Sequence, residues 1–392
     1  MGAISFLPFL TSCSNPLGGN SNSSANFLYG GQPTISSVAN QTTIGSATAW
    51  TRTVFVTLGG ISTLNCGSSI SVSSSNSSLI SPSNVTFSGT YPNCIASFNF
   101  NAGASGSTNI TLTVTYGSAT ASTTFTTYLL PPALAVYSVR RVVAGFLGKA
   151  FNVRRSSDNA TQDIGFTSAG DLDTTSLSSF CGASSCYINT WYDQSGNLNN
   201  STQATLASQP QIVNLGSIKM QNGVPAIYWS GSNFLKATLS SLSATTPFTQ
   251  NAVAQGGNSV VCLSGTNSAA QNSCLGGPNS AYGSTGTWFG GYGQDGTFYG
   301  GTATTALSVV TKTYSSNTVS GYLNGVQVFS ASSISYNLTT ADILLGIQTD
   351  GATYQMLTGY ESEVSVYLSS LSTTDRLTLE ESQGSYFGIS IP

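Results

Sequence analysis

The chain has 392 residues, of which only 6% are charged: 10 Lys and Arg, 13 Asp and Glu, and no His. The missing imidazole excludes a Ser-His-Asp triad and a histidine-ligated zinc site. A net charge of −3 with no basic stretch argues against nucleic acid as a partner. Ser, Thr, Asn and Gly supply the polarity beside 40% apolar residues, the composition of a β-rich extracellular protein and not of a disordered one. Charge is also unevenly placed. Arg52 is the one charged side chain in residues 1–139, whereas residues 140–193 carry five cations and five carboxylates.

Residues 1–29 read as a leader and a flexible tether. The run from Phe6 to Ser12 is apolar and then small, and it ends at Cys13. It resembles the lipobox of bacterial lipoproteins, although no basic residue precedes it. The resemblance implies a lipid anchor on Cys13 and a place on the bacterial cell surface, as an outer-membrane lipoprotein. The other six cysteines fall into neighbouring pairs, Cys66 with Cys94, Cys181 with Cys186 and Cys262 with Cys274. Such spacing suits local disulfides of a secreted protein and contains no CxxC, so no metal site is expected. No run of 18 apolar residues exists to span a membrane as a helix.

Residues 30–131 alternate apolar and polar side chains, as in Thr53 to Thr57, Ala96 to Phe100 and Asn109 to Val114. Period-two alternation with Gly-rich turns predicts about seven short strands, and hence an immunoglobulin-like β-sandwich. The runs Ser73 to Leu79, Pro82 to Thr86 and Ser105 to Thr111 resemble bacterial cadherin-like or Big-type repeats. The segment contains no Asp or Glu, so a calcium site would lack its carboxylates. It reads as a spacer stapled by Cys66 and Cys94.

Pro131 and Pro132 mark a boundary, and 133–392 form the second predicted domain. The Arg154, Arg155, Ser156, Ser157, Asp158 run, the Cys181 to Cys186 spacing and Tyr192-Asp193-Gln194-Ser195-Gly196 closely resemble the catalytic domain of α-L-arabinofuranosidase B. The stretch Glu361 to Tyr367 and a capped helix near 373–383 are similar to the end of laminin-G domains. The two resemblances imply an all-β protein whose second domain is a concanavalin A-like jelly roll. Asn324-Gly325 is a hairpin signal, and Ile343 to Ile347 a buried strand. Arg154, Arg155, Asp158 and Asp163 are expected to form one internal ion network.

The resemblance also places a catalytic pair. Its nucleophile frame fits Trp288 to Gly300, but Gln294 stands where the family has glutamate. A neutral amide cannot form a glycosyl ester. Its acid/base frame fits Gly346-Ile347-Gln348-Thr349-Asp350, with Asp350 in the acid/base position. Asp295 is a candidate displaced nucleophile, opposed by its shorter side chain and by the alternation of strand residues. Trp288 and Tyr292 are candidate sugar platforms beside Gln294, Asp295 and Asp350. The expectation drawn from Gln294 is a glycan-binding, adhesive surface domain without hydrolysis and without a cofactor. The alternatives are a retaining α-L-arabinofuranosidase using Asp350, and a structural subunit that self-assembles through its low-charge faces.

Overall fold

The computed structural model describes residues 31–44, 50–100, 104–143, 146–239, 247–264, 273–277, 287–293, 296–302, 304–334, 336, 338, 342–348 and 356–392. Cys13 and the rest of 1–30 lie outside the described residues, as do Gln294, Asp295 and Asp350.

Two four-stranded sheets form the N-terminal part. One runs in the spatial order Thr34–Ile35, Trp50–Gly59, Asn93–Phe100, Val85–Thr90. The other runs Gln41–Ile44, Ala119–Leu130, Gly106–Tyr116, Ile70–Ser74. The predicted alternation appears as burial: every second residue from Ile110 to Val114 and from Cys94 to Phe100 faces a shared core. Phe98 meets Phe125 edge to face across that core at 5.8 Å. Cys66 and Cys94 are bonded inside it.

A second, larger core belongs to a sheet of seventeen strands, counted among the described residues. Thr358–Tyr367 joins its two halves. Residues 358–361 pair with Ile227–Ser230, and 363–366 pair with Ala135–Ser138. Along the other edge the same strand pairs with Phe248–Gly257, with a bulge at Val253 and Ala254. Trp191 anchors the core between Tyr137 and Phe151, at 5.8 and 5.7 Å. Thr318–Leu323 and Val326–Ala331 form the expected hairpin, with φ of 47° at Asn324 and 87° at Gly325, as a two-residue turn of that hand requires. All six predicted cysteine partners are bonded as paired in the sequence.

The C-terminal helix runs Thr373–Phe387, one turn beyond its predicted end. Ser372 caps it by accepting from the Asp375 N–H, and Gly388 stops it in the left-handed conformation. Phe387 is buried, so core packing carries the helix past Gln383. The helix also ties the N-terminal sheets to the larger body. Thr42 Oγ1 and Ser382 Oγ are 2.6 Å apart, and Asn40 donates to Ser385 Oγ at 2.8 Å. Ile44, Leu130, Val136, Tyr367 and Leu379 share a small apolar cluster at that junction.

The single ion network expected of Arg154, Arg155, Asp158 and Asp163 is not formed. Arg155 pairs with Asp158 on the surface at 2.6 Å, holding the Asp158 carboxyl down to about 2. Asp163 accepts from Asn152 and Tyr192 instead. Arg154 donates instead to the amide oxygens of Gln209 and Asn159 and pairs with neither acid. Strand alternation separates the two arginines: neighbours on one strand face opposite ways.

Candidate functional site

The motif Tyr192 to Gly196 is a structural clasp. Asp193 is buried and its carboxylate accepts from the Val136 N–H, the Ser195 N–H and hydroxyl, and the Asn199 N–H, at 2.7–3.0 Å. Gln194 accepts from the Val142 N–H at 2.8 Å and donates to the carbonyl of Arg140 at 2.9 Å. Together they fasten the strand Ala135–Ser138 into the sheet. The most recognisable residues of this region therefore hold the scaffold.

The predicted acid/base frame begins on a rigid base. Gly346 has φ of 78°, and a side-chain carbon there would stand 2.4 Å from the Trp229 ring. Only glycine fits both demands. The Gly346 N–H donates to the Val260 carbonyl and its own carbonyl accepts from Leu357, both at 2.9 Å. Ile347 then packs with Leu344, Met356 and the Cys262–Cys274 disulfide. That bond links directly opposed residues of Ser259–Ser264 and Ser273–Gly276. Gln348, the last described residue before Asp350, is fully buried. Behind this segment Lys312 is also buried, donating to the Cys274 carbonyl at 2.7 Å, and burial pushes its pKa well down.

Trp288 and Tyr292 lie on the strand Thr287–Gly293, which pairs with Gly296–Thr302. Their side chains are outside the described residues. The ladder runs up to Gly293 opposite Gly296.

An open cleft of about 500 Å³ lies on one face of the large sheet. Sequence reasoning missed it. Its floor is a row across four adjacent strands, Arg154 opposite Tyr187, Tyr187 opposite Gln211, and Gln211 opposite Tyr228. Tyr228 in turn faces Tyr360 on a fifth strand, with ring centroids 5.2 Å apart. Ser230, Ser232 and Asn233 form one rim. Asn233 is fixed by the Ser230 N–H and hydroxyl, at 2.8 and 2.6 Å, and donates to the Gln209 carbonyl at 3.1 Å. Gly346 meets the same Asn233 from behind, since a side-chain carbon at position 346 would lie 3.1 Å from the Asn233 carbonyl. The cleft and the acid/base frame thus share one wall. Amides, hydroxyls and tyrosine faces in an open trough suit a polyhydroxylated ligand. Among the described residues no cluster of three metal-ligating side chains occurs.

The family model for the catalytic domain of alpha-L-arabinofuranosidase B matches residues 128–227, which include most of the four-strand floor of the cleft. Alpha-L-arabinofuranosidase B of Aspergillus oryzae is 40% identical over 75 residues, 19% of this chain and 15% of that enzyme. The Aspergillus niger enzyme is 37% identical over the same length. The match thus spans about 15% of the length of these curated relatives. A GH54 a-l-arabinofuranosidase soaked with a cyclic sulfate inhibitor has the same fold over 66% of this chain and 63% of its own, with TM-score 0.51 and 18% identity. An arabinofuranosidase complexed with arabinofuranosyl-alpha-1,2-xylobiose gives the same TM-score, identity and coverage. A glutamate-to-glutamine mutant of the GH54 enzyme, soaked with 4-nitrophenyl a-l-arabinofuranoside, gives TM-score 0.52. These matches overturn the expectation of a glycan-holding domain without hydrolysis, because the matching model and the solved folds are those of catalytic domains. The chain carries a mostly β, arabinofuranosidase-B-like domain of the catalytic type.

Proposed function

We propose that residues 133–392 act as a retaining α-L-arabinofuranosidase on arabinose-bearing polysaccharide. The observation that carries the reading is that the stretch matching the catalytic-domain model also supplies most of the floor of the cleft. A retaining hydrolase needs an acid/base and a nucleophilic carboxylate about 5 Å apart. Asp350 is assigned the acid/base role: it protonates the leaving oxygen, then deprotonates the attacking water. Gln294 occupies the family's nucleophile position but carries no charge. The carboxylate role is therefore assigned to the adjacent Asp295.

The test is release of 4-nitrophenol from 4-nitrophenyl α-L-arabinofuranoside. Wild-type protein is expected to release it, and Asp350→Asn and Asp295→Asn each to lower kcat by a factor of about a hundred or more. A wild-type chain with no release over background would end the reading.

The remaining assignments belong to the same proposal. Residues 30–131 are an immunoglobulin-like sandwich, and the body is a concanavalin A-like jelly roll. The protein works outside the cell, held by a lipid on Cys13. Mass spectrometry of the mature N-terminus tests the anchor: an unmodified Met1 would defeat it.

A further inference from the structure

The row on the cleft floor contains a charge that the protein does not neutralise. Arg154 is 8% exposed. Its Nε donates to Gln209 Oε1 at 2.7 Å, one Nη to Asn159 Oδ1 at 2.8 Å and the other to the Leu206 carbonyl at 3.4 Å. Its guanidinium lies over the Tyr187 ring at 5.0 Å. All these partners are neutral, and among the described residues no carboxylate forms an ion pair with it. Among the described residues no Asp or Glu lines the cleft. Lys219 places a second cation 4.9 Å from the Tyr228 ring, at the other end of the row.

Holding a cation out of bulk water costs free energy that a paired anion would recover. The two other deeply buried arginines follow that rule, Arg140 with Glu363 and Arg376 with Glu380. Arg154 departs from it: it lies on the floor of the open cleft with neutral partners only. Its neutral partners hold the guanidinium plane in place. A guanidinium has more N–H donors than these acceptors use, and its fork matches a carboxylate. Four strands at roughly 4.8 Å spacing give the row a length of about 14 Å between its outer strands, enough for several consecutive sugar units.

We infer that the cleft binds an acidic polysaccharide, with a uronate carboxylate seated on Arg154 and the following sugars lying over Tyr187, Gln211 and Tyr228. This rests on the reading of the chain as one that acts on a glycan, but not on which carboxylates cleave it.

The experiment measures binding of the full chain to a trigalacturonate and to the same trisaccharide with its carboxyls reduced to alcohols. The wild-type protein is expected to bind the uronate form about tenfold more tightly or better, the scale of one charge-assisted contact. Arg154→Gln should remove that preference. Equal affinity for the two ligands, or binding of neither, overturns the inference on wild-type protein alone, whether or not the variant folds. A folded Arg154→Gln protein that keeps the preference also overturns it. The hydrolase reading fails separately. Arabinofuranoside cleavage without uronate preference sinks only the inference, and uronate preference without cleavage sinks only the hydrolase.

Discussion

Arg140 grips Glu363 with both arms of its fork, Nε to Oε2 at 2.7 Å and Nη2 to Oε1 at 3.1 Å, with both side chains buried. Thr42, Ser138, Ser382 and Gln383 complete the hydrogen bonding around the pair. The ion pair stands where the N-terminal sheets, the strand Thr358–Tyr367 and the C-terminal helix meet. Glu363→Ala leaves the Arg140 cation buried and unpaired, at a cost of about 3–5 kcal/mol. A lower urea midpoint is the expected result. The double change Arg140→Met with Glu363→Leu should recover much of the loss, because it removes both charges together.

Asp193 gathers donors from Val136, Ser195 and Asn199 at the edge of the large core. Asp193→Ala leaves the buried Val136 N–H and the half-buried Ser195 and Asn199 N–H groups without this acceptor. It is expected to destabilise the protein by about 3 kcal/mol or more. Because the clasp touches no part of the cleft lining, the folded fraction should keep its ligand affinity. Isothermal titration below the new melting point checks this.

Gly346 turns the chain beside Trp229 toward the Asp350 frame. Gly346→Ala combines a left-handed φ of 78° with a side-chain carbon 2.4 Å from a buried ring. The expected cost is about 2 kcal/mol or more. Since the ring cannot yield without moving the core, the segment that precedes Asp350 must shift. The cleavage rate of the folded variant should fall by more than its binding does. Comparing kcat with KM on the aryl arabinofuranoside reads that split.

Glu361 is fully buried, and among the described residues neither carboxylate oxygen has a hydrogen-bond partner. Burial pushes its pKa well above 4.5. Below pH 4.5 the group is protonated in both folded and unfolded chains and affects their balance little. Above that pH the unfolded chain releases the proton while the folded chain keeps it, so stability falls as pH rises toward the folded pKa. Glu361→Gln should therefore be nearly neutral at pH 4 and stabilising relative to wild type at pH 7. The gain should be about 1.4 kcal/mol for each pH unit crossed. Urea midpoints at the two pH values measure it, and a constant difference between them would contradict the account.

Much of the fold was legible. The alternating runs became strands, Asn324-Gly325 became a hairpin turn, and the six paired cysteines each bonded the near neighbour. These features depend on residues close in the chain. The roles of the charged block were less legible. Arg154 and Arg155 are adjacent and chemically alike, yet Arg155 is a surface ion pair and Arg154 the floor of a cleft. Asp193 carries part of the family resemblance, but its clasp depends on Val136, 57 positions away.

By itself the sequence determined the β-rich architecture, the disulfides, the capped helix and the arabinofuranosidase-B-like stretch. Alternation, turn chemistry and cysteine spacing act over a few residues, so they leave a local mark. Only the tertiary structure decided that Arg154, Tyr187, Gln211 and Tyr228 stand in one row, and that Gly346 backs onto its wall. Strand period tells which face a side chain takes, whereas the register between distant strands tells which side chains meet. That register is set by the packing of the whole core.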